Sequence, residues 1–467
     1  MTGKPIFIGG TGSHVGKSWV ATALCRHLRR MGHRVAPFKA QNMSNNSMVC
    51  SDGGEIGRAQ YAQGEACGLQ AFTDMNPILL KPTGSLGCQV ILHGRPWRNL
   101  SATEYYNHFD FLLEQVLQSY RRLAAEYEYI IVEGAGSVTE LNLKARDLVN
   151  LGLAARVNAP ALLVADIDRG GVFGSVVGTF HLLEDGEAGL LRSFLINRFR
   201  GDTALFKDGV RILEEKTGRP CLGVCPFAED IYLDAEDSVG VPDNVTGSRI
   251  AIIRLPHISN FTDFRLIPDA TYVSRPTTAP FDTIILPGTK NTIDDLLWLR
   301  STGLESWIVS RVRGGAGLVG VCGGFQMLGE EISDPESVES KSGTVRGLGV
   351  LPVRTRLAAE KTTRAIGGQT SAGNRFQGYE IHMGISTLPS DRQPFAILDD
   401  GTAEGIRAGR IIGTYLHGVL ENPSVLEEVL AGVVGIHSCD KNAQYDRLAD
   451  WFARNVNHDV LEREYLR

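Results

Sequence analysis

Two sets of residues in this chain have types and spacing suited to chemistry. Cys322 lies in Val319-Gly320-Val321-Cys322-Gly323-Gly324-Phe325-Gln326, a thiol between glycines directly after an apolar run. That order reads as a nucleophile elbow: the glycines allow a sharp strand-to-helix bend, and the turn leaves backbone N–H groups to receive an oxyanion. A thiol attacks as the thiolate, so it needs a base or a positive field. Among the eleven histidines, His417 ends Ile411-Ile412-Gly413-Thr414-Tyr415-Leu416 and precedes Gly418, which makes it the first candidate base. His382, in Gly378-Tyr379-Glu380-Ile381-His382-Met383-Gly384, is the second. A lone histidine is as readily structural, so spacing alone leaves both open.

The other set is Gly9-Gly10-Thr11-Gly12-Ser13-His14-Val15-Gly16-Lys17-Ser18, after the apolar Pro5-Ile6-Phe7-Ile8 and before the helical pattern Trp19-Val20-Ala21-Thr22-Ala23-Leu24. It reads as a phosphate-binding loop for ATP. Gly10, Thr11, Gly12, Ser13 and Gly16 would offer backbone N–H groups, Lys17 a cation, and Ser18 a hydroxyl for Mg2+. Standard spacing puts glycine where Thr11 stands, so this loop is one residue longer. A plain glycine-rich turn is the alternative, disfavoured because strand, Gly-Lys-Ser end and helix stand in the required order. Glu133 closes the buried run Ile130-Ile131-Val132 at the carboxyl edge of a sheet, where with Ser18 it could hold Mg2+. A solvated loop glutamate is the competing reading. Lys39, Gln41 and Asn42 gather a cation and amides after the second strand, suited to a polycarboxylated, amide-bearing ligand or simply to a turn. Asp166-Ile167-Asp168-Arg169-Gly170-Gly171 is a further edge loop, ambiguous by itself.

The elements that must position these groups alternate. Strand-like runs at Ile6 to Gly9, Val35 to Lys39, Tyr129 to Glu133, Ala161 to Asp166, Leu191 to Asn197 and Cys221 to Val224 are separated by helical patterns, which predicts an α/β fold with a parallel sheet. A turn-rich stretch at 237–248 reads as a linker. A second α/β unit restarts at Arg249, with strands expected at Ile250 to Leu255, Thr283 to Leu286, Gly317 to Val321 and Arg410 to Tyr415, and helix after Glu421. At 467 residues, two or three domains are expected. With 47 basic and 53 acidic residues the net charge is only −6, and no basic stripe marks a nucleic-acid or membrane surface. Apolar stretches such as Ala159 to Ala165 are strand-sized, no signal-peptide pattern opens the chain, and eight sparse cysteines suit a reducing compartment, so a cytoplasmic protein is expected. Cys221 and Cys225 have no second pair to complete a metal site.

Beyond single motifs, Phe38–Met43, Asp52–Gln60, Val132–Ser137, Ala165–Phe173, Ile196–Asp202, Leu255–Phe264, Leu286–Thr292, Cys322–Gly329, Gly378–Gly384 and Gly413–Gly418 resemble the glutamine-dependent cobyrinate amidotransferases of cobalamin biosynthesis, cobyric acid synthases in particular. The resemblance spans almost the whole chain. It implies a P-loop, dethiobiotin-synthetase-like amidoligase domain at 1–236, the linker at 237–248, a flavodoxin-like class I glutamine amidotransferase domain at 249–425 and a helical tail at 426–467. Relatives of the first domain carry the longer loop.

By the same resemblance, Cys322 would attack the carboxamide of L-glutamine and His417 would shuttle the proton. Most class I amidotransferases place an acid two residues past the histidine; here that position is Val419, and Glu421 is out of register. The cobyrinate amidases generally lack that acid, so the group orienting His417 is unassigned, and a thiol weakly active without acceptor is expected. ATP with Mg2+ on Ser18 and Glu133 would phosphorylate a side-chain carboxylate of adenosylcobyrinic acid a,c-diamide, and ammonia would displace phosphate, at positions b, d, e and g in turn. Asn197 would face the adenine, with Asp52 and Glu55 as lesser candidates for metal contact. The nearest alternative is the sister enzyme that amidates positions a and c, against which Arg198–Asp202 and Asn260–Phe264 speak. From another class, a partitioning-type nucleotide-switch ATPase with an inactive amidotransferase domain is disfavoured by the intact Cys322 and His417. A lipid II amidotransferase would carry a zinc ribbon of four cysteines that this sequence lacks.

Overall fold

The structure is a computed structural model describing residues 3–83, 87–234, 236, 248–267, 269–430 and 440–467. The expected linker, apart from Ser248, lies outside the described residues. In the first sheet, β1 (Lys4–Gly10), β2 (Val35–Phe38), β3 (Tyr129–Glu133), β4 (Ala161–Asp166), β5 (Leu191–Phe199) and β6 (Cys221–Pro226) run in the order β6-β5-β4-β1-β3-β2. Every pairing is parallel. The strands are apolar on both faces because both faces are covered. Phe7, Phe38, Ile130 and Phe194 pack on one side; Ile6, Ile8, Leu24 and Leu28 pack on the other. The chain order reverses about β1, and the loop leaving its carboxyl end opens into the crevice that such a reversal creates.

That loop runs into α1 (Lys17–Arg30), which buries Val20, Ala21, Leu24 and Leu28 at three- and four-residue spacing. α2 (Arg58–Cys67) packs beside it. A four-stranded sheet of Gln41–Met43, Ile78–Thr83, Gly87–Leu92 and Arg95–Ser101 stands apart from the main one.

The second sheet holds β7 (Ile250–Ile253), β8 (Thr271–Val273), β9 (Thr283–Leu286), β10 (Gly317–Val321), β11 (Ile406–Ala408) and β12 (Ile411–Thr414), ordered β8-β7-β9-β10-β12-β11. Only β11 pairs antiparallel in it. α3 (Gly323–Leu328) follows β10 after a single residue, Cys322. A long antiparallel pair, Arg354–Thr370 with Arg375–Thr387, extends from this unit towards the first.

The segment expected as one helical tail divides. Pro423–Leu430 buries Val425 and Leu426 in the second unit. α4 (Lys441–Asn455) returns to the first: Leu448 and Phe452 join the core around Leu24, and Trp451 meets Trp19 edge-on at 6.1 Å between ring centroids. Val456 then bridges Gly223 of β6.

Candidate active sites

Cys322 stands at φ 51° and ψ −111°, a conformation an L-residue keeps only where its surroundings enforce it. The surroundings are glycines in close contact. A Cβ on Gly324 would lie 2.0 Å from Leu286 O, and one on Gly320 would lie 2.7 Å from the Leu328 side chain. The bend delivers the thiol to a pocket of about 40 Å3. Gly323 lines the same pocket, and as the first residue of α3 its N–H has no partner within the helix.

His417 is buried in that pocket. Its Nδ1 lies 2.7 Å from Asp263 Oδ2, and Asp263 Oδ1 accepts the Gly418 N–H at 2.9 Å. Burial alone would lower the imidazole pKa, but the Asp263 carboxylate and Cys322 raise it to about 10, so the ring is held as imidazolium beside the thiol. The ring stacks on Tyr379 at 5.4 Å, and Gly288 leaves it room, since a Cβ there would stand 2.9 Å from His417 Cε1. His382 lines the pocket too, but burial holds its pKa below the ordinary value and its Nδ1 is engaged by Gly384 O at 2.9 Å. Asp263 is thus the orienting acid that the position of Val419 left unassigned. It comes from a turn at Phe261–Phe264, and a buried acid between two phenylalanines after a core strand was the available signal.

At the other site, β1 runs further than the loop spacing suggests. The Thr11 N–H donates to Val164 O at 3.0 Å, and Gly10 O accepts from the Val138 N–H at 3.0 Å. Gly10 thus closes β1, and Thr11, the next residue, keeps one bond to the neighbouring strand before the chain turns into the loop. Ser13, Gly16, Lys17 and Ser18 line a cavity of about 760 Å3. Gly16, at φ 99°, opens α1 without a side-chain cap, leaving first-turn N–H groups open to an anion. Lys17 donates to Gly12 O and Gly136 O, both at 2.8 Å, and burial brings its pKa down to about 8.

Ser18 Oγ donates to Glu133 Oε1 at 2.8 Å, Lys39 Nζ to the same oxygen at 2.9 Å, and Gln63 Nε2 to Oε2 at 2.6 Å. Glu236, which the sequence reading did not single out, accepts from Lys39 at 2.6 Å and from Ser18 at 3.2 Å. Burial opposes charge on Lys39, yet Glu133 and Glu236 hold its pKa well above the ordinary value. The oxygens of Ser18, Glu133 and Glu236 are the hard donors that Mg2+ takes. Among the described residues no group of three or more His, Cys, Asp or Glu could hold a metal unaided, so phosphate oxygens and water would have to complete its shell.

Gln41 and Asn42 line this cavity with Lys39; Gln41 hydrogen-bonds Tyr105, and Asn42 donates to Gln60 Oε1 at 2.8 Å. Asn197 stands behind the loop rather than on the cavity wall. Its amide donates to Val15 O at 2.9 Å, and a Cβ on Gly16 would lie 2.1 Å from its Nδ2. That bond ties the end of β5 to the loop. Asp52 accepts from the Thr73 N–H and hydroxyl at 2.9 and 2.7 Å and does not line the cavity that Ser18 lines.

Glu55 lies at the junction of the two units. It is buried between Lys81, at 2.9 Å, and Lys361 of the long strand pair, and these cations override burial to hold its pKa at about 2. Lys81 and Lys361 also line the Cys322 pocket, so the first unit supplies part of its wall. Asn260 donates to Ser47 O at 2.9 Å, and the buried Arg58 bridges Asp234 at 2.7 Å and Glu421 at 3.0 Å across the same junction.

The profile of the CobQ/CobB/MinD/ParA nucleotide binding domain matches residues 6–239, and that of the CobB/CobQ-like glutamine amidotransferase domain matches residues 249–425. A cobyric acid synthase of Moorella thermoacetica is 46% identical over 464 residues, covering 92% of this chain and 88% of its own. One of Syntrophobacter fumaroxidans is 43% identical over 504 residues, covering 98% of each chain. Among the described residues no helix is long and apolar enough to cross a membrane.

Proposed function

The chain belongs to the cobyric acid synthase family of glutamine-dependent amidoligases, and from that premise we propose that it amidates the b, d, e and g carboxylates of adenosylcobyrinic acid a,c-diamide. The observation that carries this reading is the Cys322–His417–Asp263 constellation, walled in part by the unit that bears the phosphate loop.

At the thiol site, Cys322 Sγ attacks the glutamine carboxamide carbon while the Gly323 N–H stabilises the oxyanion. His417 gives its proton to the departing nitrogen, so the C–N bond breaks and ammonia leaves. The imidazole, held by Asp263, then takes a proton from water, which hydrolyses the thioester to glutamate. At the loop, a substrate carboxylate oxygen attacks the γ-phosphorus of ATP and ADP departs. Lys17 and the open amides of α1 neutralise charge on the transferring group. Mg2+, on Ser18 and Glu133, would supply further neutralisation there. Lys39, Gln41 and Asn42 orient the corrinoid side chain. Ammonia, moving between the units, attacks the acyl phosphate and phosphate leaves. The need for ATP and glutamine as co-substrates supports a cytoplasmic location.

Incubation of the protein with adenosylcobyrinic acid a,c-diamide, ATP, Mg2+ and glutamine, followed by mass spectrometry of the corrinoid, is expected to show four added amides. Cys322→Ala is expected to add them only with ammonium. ATP hydrolysis with an untouched corrinoid would sink the substrate assignment.

A further inference from the structure

Lys290 and Glu339 line the Cys322 pocket, and the chemistry above uses neither. Among the described residues the Lys290 ammonium makes no ion pair and no side-chain hydrogen bond. Burial lowers its pKa and Glu339 pushes it back up. Glu339 is held by Thr292, whose backbone N–H donates to Oε2 at 2.8 Å; burial raises its pKa against the pull of Lys290. The two feel each other's charge without forming a salt bridge. The other cations on that wall, Lys81 and Lys361, are already bound to Glu55.

A charge kept partly out of water without a counterion is a cost that a complementary ligand removes. An ammonium and a carboxylate facing one small pocket complement a zwitterion, carboxylate to Lys290 and ammonium to Glu339. In an amino acid whose γ-carboxamide reaches Cys322, both α-groups lie only two methylenes beyond the reacting end.

We propose that Lys290 and Glu339 bind the α-carboxylate and α-ammonium of free glutamine and so decide which carboxamides the thiol may open. The proposal rests on the glutaminase reading of Cys322. It also answers a chemical problem of that reading: the product corrinoid carries primary carboxamides much like that of glutamine. Those lack an α-zwitterion, so a pocket that demands one leaves them intact.

The test compares kcat/KM for three donors in the same preparations: glutamine, glutaramate, which lacks the α-ammonium, and glutaminamide, which lacks the α-carboxylate. Wild type is expected to prefer glutamine over each by on the order of 10²-fold, through KM. Glu339→Gln should lose that preference over glutaramate alone, Lys290→Met over glutaminamide alone, and Lys290→Arg should largely keep it. Because each ratio is internal to one preparation, partial misfolding cancels. An equal fall with all three donors, or an unchanged preference, would overturn the assignment. Glutamate release that persists in Cys322→Ala would overturn the glutaminase reading, and the assignment with it.

Discussion

Around Cys322, glycines approach so closely that added Cβ atoms would stand 2.0 to 2.9 Å from their neighbours, and the pocket measures about 40 Å3. Around Lys17, long charged and aromatic side chains wall a cavity of about 760 Å3. The first is a mould for one small molecule in one pose. The second has room for a bulky ligand, as the proposed repeated amidation of one corrinoid would require. Backbone strain and glycine contacts confer closeness of fit; flexible side chains confer accommodation.

Four changes would break or sharpen that contrast. The largest effect is expected from Cys322→Ser, which should cut glutamine-driven amidation by on the order of 10⁴-fold or more while ammonium still serves, as paired nitrogen-donor assays would show. Lys17→Ala should lower amidation from either donor by ~10³-fold, because phosphoryl transfer precedes both. If it also stopped glutamate release, the two sites could not be treated as separable. Asp263→Asn should slow glutamate release by ~10²-fold, with iodoacetamide titration of Cys322 revealing loss of the imidazolium beside it. The smallest effect concerns pH. In the nucleotide-free protein Lys17 titrates near pH 8, lowered by burial, so its charge is present below that pH and lost above it. ATP binding should therefore take up a proton and weaken by at most ~10-fold between pH 7 and 9, measurable by calorimetry in two buffers.

Much of this was legible before any coordinates. Both parallel sheets could be read because their strands are continuous apolar runs, and the elbow and loop because glycine positions mark tight turns. The four-stranded sheet could not: Lys81 and Gln89 interrupt its strands, and their reason for being there is a partner elsewhere, Glu55 for Lys81. Asp263 was hidden for a similar reason. Its bond to His417 joins positions 154 residues apart, which no local spacing encodes. The partners of Glu55, Lys81 and Lys361, were equally out of reach, because they come from distant parts of the chain. The longer phosphate loop showed as a departure in spacing; that Thr11, just past β1, still donates to Val164 O could be seen only in the fold.

The return of α4 onto α1 sets a timetable for synthesis. Trp19 and Leu24 leave the ribosome early, whereas their covering residues Leu448 and Trp451 leave more than four hundred residues later. At about 5–20 residues per second the wait is roughly 20–80 s. During it, one apolar face of the nucleotide-binding body stays open, a natural client for chaperones. A chain broken off after the amidotransferase unit would never cover that face, so the ATP-consuming half would be finished only once the ammonia-producing half has been made.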